Sequence, residues 1–554
     1  MKWSCKHMFA LAAVLTTLVF SGCTSDLTCE SGWCGTAVVA SAPVQSLFPP
    51  NPQLDVDLGV YDLVFSKLAD VGPDFNTIGD DGFVNGLASS WVFEDELTIS
   101  VALNPLAKWH DGTPVTAQDV VFTYSIYQNP VVNSIARSRL TAIASVTARD
   151  SLTAVFRFRR FYPEQFYDAV SHVHILPSHL LEGVPPEDLR THEFALHPIG
   201  SGPYRVVRWT PGELVELAGD STHFLGRPGI PRVIWRAVGG PTAGVDEVIA
   251  NRADFLHQVG EPTDLERIAA APHLRLIEYP SNTYNYVGFN LRDPEDTTQA
   301  HPLFGNRAIR RAIVMCVNRP ALMQSVMGGR ALLLVGPVTP ASAIWSEDLA
   351  DALPFDSASA RNILSDLGWF DSNGDGVLDR NGRQLEFDLL VPPVAMRARG
   401  ALVLQEQLGR SGIQMNIVDV EWAAFFDMLG RGAFDAQYSS LGQDASPASL
   451  ATDWTEDGFG EINAGRYSDP EYTKLVREAR DGTDRTQSLN KWHAALKVIN
   501  EDAPAIWLYI PKKFAAVHER FDDLVLSPYQ PWIGLSKLRV EPSHFIERDL
   551  YGAN

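Results

Sequence analysis

The stretch Lys108-Trp109-His110-Asp111-Gly112-Thr113-Pro114-Val115-Thr116-Ala117-Gln118-Asp119-Val120-Val121-Phe122 decides how the rest of the chain is read. Asp111-Gly112 supplies residues that tolerate positive φ, and Pro114 fixes the backbone that leaves the turn. Thr116 stands where a helix N-cap belongs, with Asp119 three residues on in the reciprocal capping-box position near the helix's positive end. The apolar run Val120-Val121-Phe122 with Tyr124 then carries the helix into a core. Upstream, Leu97, Ile99, Val101 and Leu103 alternate as a half-buried strand does. The neighbouring His110 and Asp111 invite a catalytic reading. Because Asp111 belongs to the turn and Asp119 to the cap, the segment reads instead as scaffold.

Outward from this stretch, the N-terminus begins with Lys2 and Lys6, then an apolar run from Met8 to Phe20, then Ser21-Gly22-Cys23. A basic start, a short apolar stretch and a small-residue cut site read as a secretory signal, too short to span a bilayer comfortably. Ser-Gly-Cys resembles a bacterial lipobox, which would make Cys23 the lipidated N-terminus of the mature chain, although Phe20 stands where Leu is usual. No later segment offers a second span. A chain of 554 residues is longer than one core organises, so at least two lobes are expected. With 67 acidic and 45 basic residues the formal charge is −22, which argues against nucleic acid as a partner. Cys29 and Cys34 lie close together in a polar tether where an oxidising compartment could join them, and Cys316 falls in an apolar helical pattern as a buried thiol.

Further along, Ala37-Val38-Val39-Ala40 reads as a first strand, Val60 to Leu68 as a helix, and residues 145–158 as a hairpin turning at Arg149-Asp150-Ser151. Leu214 to Leu217, Val233 to Ala237 and Asp254 to Leu256 read as strands of one sheet, and Tyr284 to Asn290 as an aromatic strand. Arg307 to Arg319 and Leu402 to Leu408 read as helices, and Gln414 to Val418 as a strand reached through Gly412. Enzyme signatures are missing. His192-Glu193 and His197 space their histidines too far apart for a zinc-binding helix face, and Gly200-Ser201-Gly202 is not a nucleophile elbow.

The opening stretch, Leu87-Ala88-Ser89-Ser90-Trp91, His174-Ile-Leu-Pro-Ser-His179, Pro198-Ile-Gly-Ser-Gly-Pro-Tyr204, Val317-Asn318-Arg319 and residues 354–369 come in an order that resembles the peptide/nickel class, family 5, of extracytoplasmic solute-binding proteins of ABC transporters. The likeness spans about residues 36 to 540. It implies an α/β, two-lobed periplasmic-binding-protein type II-like fold with an extra subdomain inserted in lobe I. The division implied is a signal peptide at 1–22, a tether at 23–35, lobe I at 36–68, 195–286 and 515–554, the inserted subdomain at 69–194, and lobe II at 287–514. It further implies a membrane-anchored monomer, not an enzyme and without a cofactor, that captures di- or oligopeptides and delivers them to an ABC permease. Another solute (a nickel complex, haem or an oligosaccharide) is the alternative, as is a surface sensor without transport.

By the same resemblance, Asp444, after the Phe434-Asp435 strand, corresponds to the anchor for a peptide ammonium, although Leu441 stands where relatives carry Trp. Arg397 or Arg399 would meet the ligand carboxylate, and Tyr284, Trp422 and Trp454 would line the cleft. Two further clusters stand out from the residues themselves. Asp371, Asn373, Asp375 and Asp379 follow the spacing of a calcium loop, but Gly382 occupies the place of its final Glu, so a polar turn is favoured. His172 and His174, two apart, would share one face of a strand.

Overall fold

The strand Thr36–Ser41 is apolar at successive positions, as a central strand covered on both faces must be, and it pairs in parallel with Arg232–Ala237 on one side and Phe255–Leu256 on the other. The computed structural model describes Cys29 and residues 32–346, 349, 353–460, 462–482, 484–521, 524–529 and 532–550; the expected leader and Cys23 lie outside the described residues. Around Thr36–Ser41 a seven-stranded sheet forms in the order Leu274–Tyr279, Lys513–His518, Phe255–Leu256, Thr36–Ser41, Arg232–Ala237, Leu214–Gly219, Tyr204–Thr210. Helices Pro241–Ile249 and Pro262–Ala269 cover one face through Val245, Val248, Leu265 and Ile268. A disulfide joins Cys29 to Cys34 beside this lobe, as their spacing allowed.

A second, six-stranded sheet runs Ala331–Leu333, Ala505–Pro511, Thr283–Phe289, Ala436–Gly442, Glu386–Val391, Gln414–Asp419. Alternation along Thr283–Phe289 sends Val287 and Phe289 to the cluster under helices Arg307–Met315 and Ala395–Gly409. It sends Tyr284 and Tyr286 to the opposite cluster, under Pro470–Asp481 and Arg485–Asp502. Cys316 is buried in the first of these clusters, where burial pushes its thiol pKa up.

The chain passes between the two sheets twice, at Pro280–Asn282 and at Lys512. Both crossings correct the expected boundaries by a few residues: Thr283–Phe289 pairs wholly within the second sheet, and the return to the first begins at Lys513. The reason is register, since pairing partners rather than composition decide which sheet a continuous extended segment joins.

The inserted segment forms an antiparallel sheet ordered Ala88–Asp95, Thr98–Leu103, Thr153–Phe158, Ile143–Ala148, backed by helix Ala117–Gln128. Its Leu103, Val120 and Tyr124 share one core with Val60, Tyr61 and Trp235 of the first lobe, so the two move as one packed body. The opening motif fastens that body. Asp119 accepts from Thr116 N at 2.8 Å and, through its other oxygen, from Ser178 N at 2.8 Å and Ser178 Oγ at 2.7 Å. His110 accepts from Gly200 N at 3.2 Å and its Nε2 lies 2.9 Å from Gly202 O, while Asp111 meets His179 at 2.7 Å. Three stretches far apart in sequence therefore converge on one joint. At that joint a Cβ on Gly200 would sit 1.8 Å from Val64 O and one on Gly202 2.5 Å from Leu63 O, which explains the glycines of Gly-Ser-Gly-Pro-Tyr.

Candidate ligand-binding site

In the second sheet Glu386–Val391, Gln414–Asp419 and Ala436–Gly442 run parallel, so their C-terminal ends share one edge. Ligands of open α/β sheets gather at such an edge. Arg397 lies in the first turn of the helix that follows the first of these strands, Trp422 begins the helix after the second, and Asp444 lies two residues beyond the third. Both interlobe crossings open onto the same edge. Gln443 N donates to Asn282 O at 2.7 Å, and Lys513 Nζ to Asn282 Oδ1 at 2.7 Å, which holds the segment before Asp444 to the hinge.

The two arginines part company here. Arg397 is 9% exposed, donates to Ser440 Oγ at 2.6 Å and lies 5.6 Å over the Trp422 ring. Burial pulls its pKa down, and among the described residues no carboxylate lies within ion-pair distance of it. Arg399 is half exposed and faces Glu261 of the first lobe at 3.6 Å. A buried guanidinium without a counter-ion is costly unless something supplies the negative charge. Trp422 is 40% exposed and stacks on Phe426 at 5.6 Å, so an aromatic face stands open beside Arg397.

Asp444 is not a free carboxylate awaiting a ligand. Its Oδ2 meets Arg139 at 2.7 Å and its Oδ1 accepts from Tyr167 OH at 2.6 Å, both groups of the inserted subdomain. Burial alone would raise its pKa, but Arg139, His172 and Tyr167 together hold it below the ordinary carboxylate value. Two residues on, Ser446 Oγ donates to Glu164 Oε2 at 2.7 Å, and Thr77 OH donates to the other Glu164 oxygen. Burial pushes the Glu164 carboxyl up to about 7, against the pull of those two hydroxyls. Arg160 meets Asp481 at 2.7 Å farther along the same seam. The inserted subdomain thus clasps the second lobe through polar groups across the cleft. Sequence reasoning did not find Arg139, Tyr167 or Glu164. No local pattern marks them, because Tyr167 and Asp444 are 277 positions apart.

Tyr284 is fully buried, 5.5 Å from Tyr286, and Trp454 is 5% exposed, 5.0 Å from Trp507; both belong to the aromatic layer beneath the edge. The indole N–H of Trp507 is buried with no acceptor among the described residues. The two histidines do not share a strand face, a correction to the expectation. The segment after helix Gln165–Val170 is irregular, so His172 turns to Asp168 at 2.8 Å and His174 to Asp62 at 2.9 Å. In the 371–379 loop the carboxylates close the turn on itself. Asp371 accepts from Gly374 N and Gly376 N at 2.7 and 3.1 Å, Asp375 from Val377 N at 2.8 Å, and Asp379 from Ser372 N at 2.9 Å. Among the described residues no group of three or more His, Cys, Asp or Glu side chains is set to hold a metal.

Among the described residues no helix is long and apolar enough to cross a membrane. The family profile for bacterial extracellular solute-binding proteins, family 5 (middle), matches residues 82–460. The chain is 26% identical over 446 residues to the oligopeptide-binding protein AppA of Bacillus subtilis, covering 80% of each chain. It is also 26% identical over 514 residues to a putative ABC transporter peptide-binding protein of Brucella ovis, covering 88% of this chain and 92% of that one. The structure of AppA from Bacillus subtilis in complex with a nonapeptide superposes with a TM-score of 0.72 at 25% identity over 92% of this chain and 99% of that one. CtaP of Listeria monocytogenes, an ABC transporter substrate-binding protein, shares the fold at a TM-score of 0.78 and 21% identity, over 91% of this chain and 99% of that one. On the match through most of its length, the chain belongs to the family 5 bacterial extracellular solute-binding proteins.

Proposed function

We propose that this protein is an extracytoplasmic lipoprotein, anchored through Cys23, that captures short peptides between its lobes and hands them to an ABC import permease. The observation that carries the ligand class is Arg397: a buried, carboxylate-free guanidinium at the strand edge beside an open aromatic face. A ligand carboxylate would supply the missing charge in a bidentate pair, worth most when closure excludes water. Trp422 and Phe426 would cover an apolar side chain. Ser440, which holds Arg397, and Asp444 are four positions apart, so their Cα atoms are at most about 14 Å apart, no more than an extended peptide of about four residues covers. AppA of Bacillus subtilis, with its bound nonapeptide, supports peptide as the class. The role is binding without bond-making, and transport uses the closed, loaded form.

Isothermal titration with a randomised tripeptide pool, and with the same pool amidated at its C-terminus, tests the assignment. The free-carboxylate pool is expected to bind about 100-fold more tightly to the wild type, a preference that Arg397→Ala abolishes. Equal binding of both pools by the wild type would remove Arg397 from recognition.

A further inference from the structure

We propose that Asp453 holds an ammonium group of the ligand, at the opposite pole of the cleft from Arg397. This rests on the peptide-binding reading and deepens it by assigning the ligand's second charge. Asp453 ends the short helix Leu450–Asp453, is 8% exposed, and among the described residues has no cation within ion-pair distance. Its neighbours Leu450, Ala451 and Trp454 pack with Tyr284 and Tyr286 on one face of the second sheet. The helix Ala395–Gly409, which carries Arg397, packs with Val287 and Phe289 on the other. Tyr286 pairs with Ser439, next to the Ser440 that holds Arg397, and its ring stands 5.6 Å from Trp454. The Tyr286 hydroxyl feels the charges of both Asp453 and Arg397. Two buried, opposite charges therefore flank one tyrosine at the strand edge, each without an ion-pair partner and not paired with the other. A ligand with an anionic and a cationic end satisfies both at once.

The charges around Arg139 leave room for that cation. Arg139 faces four carboxylates, Asp444, Asp168, Glu164 and Asp453, and pairs directly with Asp444, at 2.7 Å. Tyr162 OH and His172 meet Asp168 at 2.6 and 2.8 Å, and the hydroxyls of Thr77 and Ser446 meet Glu164, so His172 is the one further group among these partners able to carry positive charge. Acids outnumber cations at this pole, and Asp453 is the one left over. Burial pushes its carboxyl up to about 7, against the pull of Ser449, Arg139 and Thr452. An ammonium on Asp453 supplies the absent cation and leaves intact the Arg139–Asp444 bridge between subdomain and second lobe. The amino pole thus moves from Asp444, suggested by the sequence resemblance, to a carboxylate further along the chain.

The experiment competes three randomised tripeptide pools, each with a free C-terminal carboxylate, on full-length wild type, Asp453→Asn and Asp168→Asn. One pool has a free amino terminus and one is N-acetylated, both without Lys, Arg or His; the third is N-acetylated with Lys as its first residue. The first tests a terminal ammonium and the third a side-chain one. Wild type is expected to prefer one of these two over the plain acetylated pool by about tenfold or more, a preference that Asp453→Asn brings to about one and Asp168→Asn leaves within about threefold. Because each ratio is measured within one protein, partial loss of folded material does not affect it. A wild type without that preference, a ratio that Asp453→Asn leaves unchanged, or an equal loss in Asp168→Asn overturns the inference while leaving peptide binding intact. Failure of wild type to bind any pool overturns peptide binding itself, and this inference with it.

Discussion

Replacing Glu164 with Gln is expected to stabilise the protein at neutral and alkaline pH and to flatten its pH dependence. Glu164 lies buried between Thr77 of the inserted subdomain and Ser446 of the second lobe. Burial moves its carboxyl from 4.5 to about 7 in the folded protein. The folded state therefore holds a proton that the unfolded chain has released between those values, so this group's contribution to stability falls as pH rises from about 4.5 to 7 and is fully lost above. A pKa change of that size corresponds to about 3 kcal/mol. Gln cannot ionise; its carbonyl can accept from one hydroxyl and its amide can donate to the other. Urea unfolding of wild type and Glu164→Gln at pH values from about 4.5 to 8 reads the difference. The variant is expected to match wild type at the acid end and to exceed it by as much as about 3 kcal/mol at the alkaline end. Parallel pH profiles for the two proteins would show that Glu164 does not carry this pH dependence.

Elsewhere the scaffold gives equally definite expectations. Arg520 bridges Asp254 at 3.0 Å and Asp549 at 2.6 Å, both carboxylates fully buried, so Arg520→Met should cost about 3–5 kcal/mol, read as a loss of thermal stability. Asp119→Ala removes acceptors from Thr116 N, Ser178 N and Ser178 Oγ and should cost about 2–3 kcal/mol in chemical unfolding. Gly200→Ala places a Cβ 1.8 Å from Val64 O and should destabilise by more than about 2 kcal/mol in the same assay; an unchanged midpoint would show that the joint can yield.

Much of the fold was legible because its signals are local. Asp119 announces its helix by its distance from Thr116, and the alternation of Ile99, Val101 and Leu103 announces a buried strand face. The hairpin at Arg149–Ser151 and the aromatic strand from Tyr284 likewise follow from period and turn chemistry. The lobe boundaries were less exact, since Pro280–Asn282 and Lys512 are extended on either side and only pairing decides where one sheet gives way to the next. At the site, nothing in the sequence says that Arg397 is buried and Arg399 exposed, as the two stand two positions apart in one run of small and apolar residues, Val394 to Ala401. Nor does it say that Arg139 reaches Asp444, because such a contact arises only from docking the inserted subdomain on the second lobe. The histidine pair misled for a related reason: spacing of two signals a shared face only on a strand, and that segment is irregular.

On the proposed reading, the cleft holds a peptide by its carboxylate at Arg397. Native mass spectrometry of the full chain purified from its source, beside Arg397→Ala purified in the same way, tests it most directly. Wild type is expected to carry added mass that fragments as short peptide and is absent from the variant. A retained haem, metal complex or oligosaccharide, or the same peptide mass on both proteins, would contradict it.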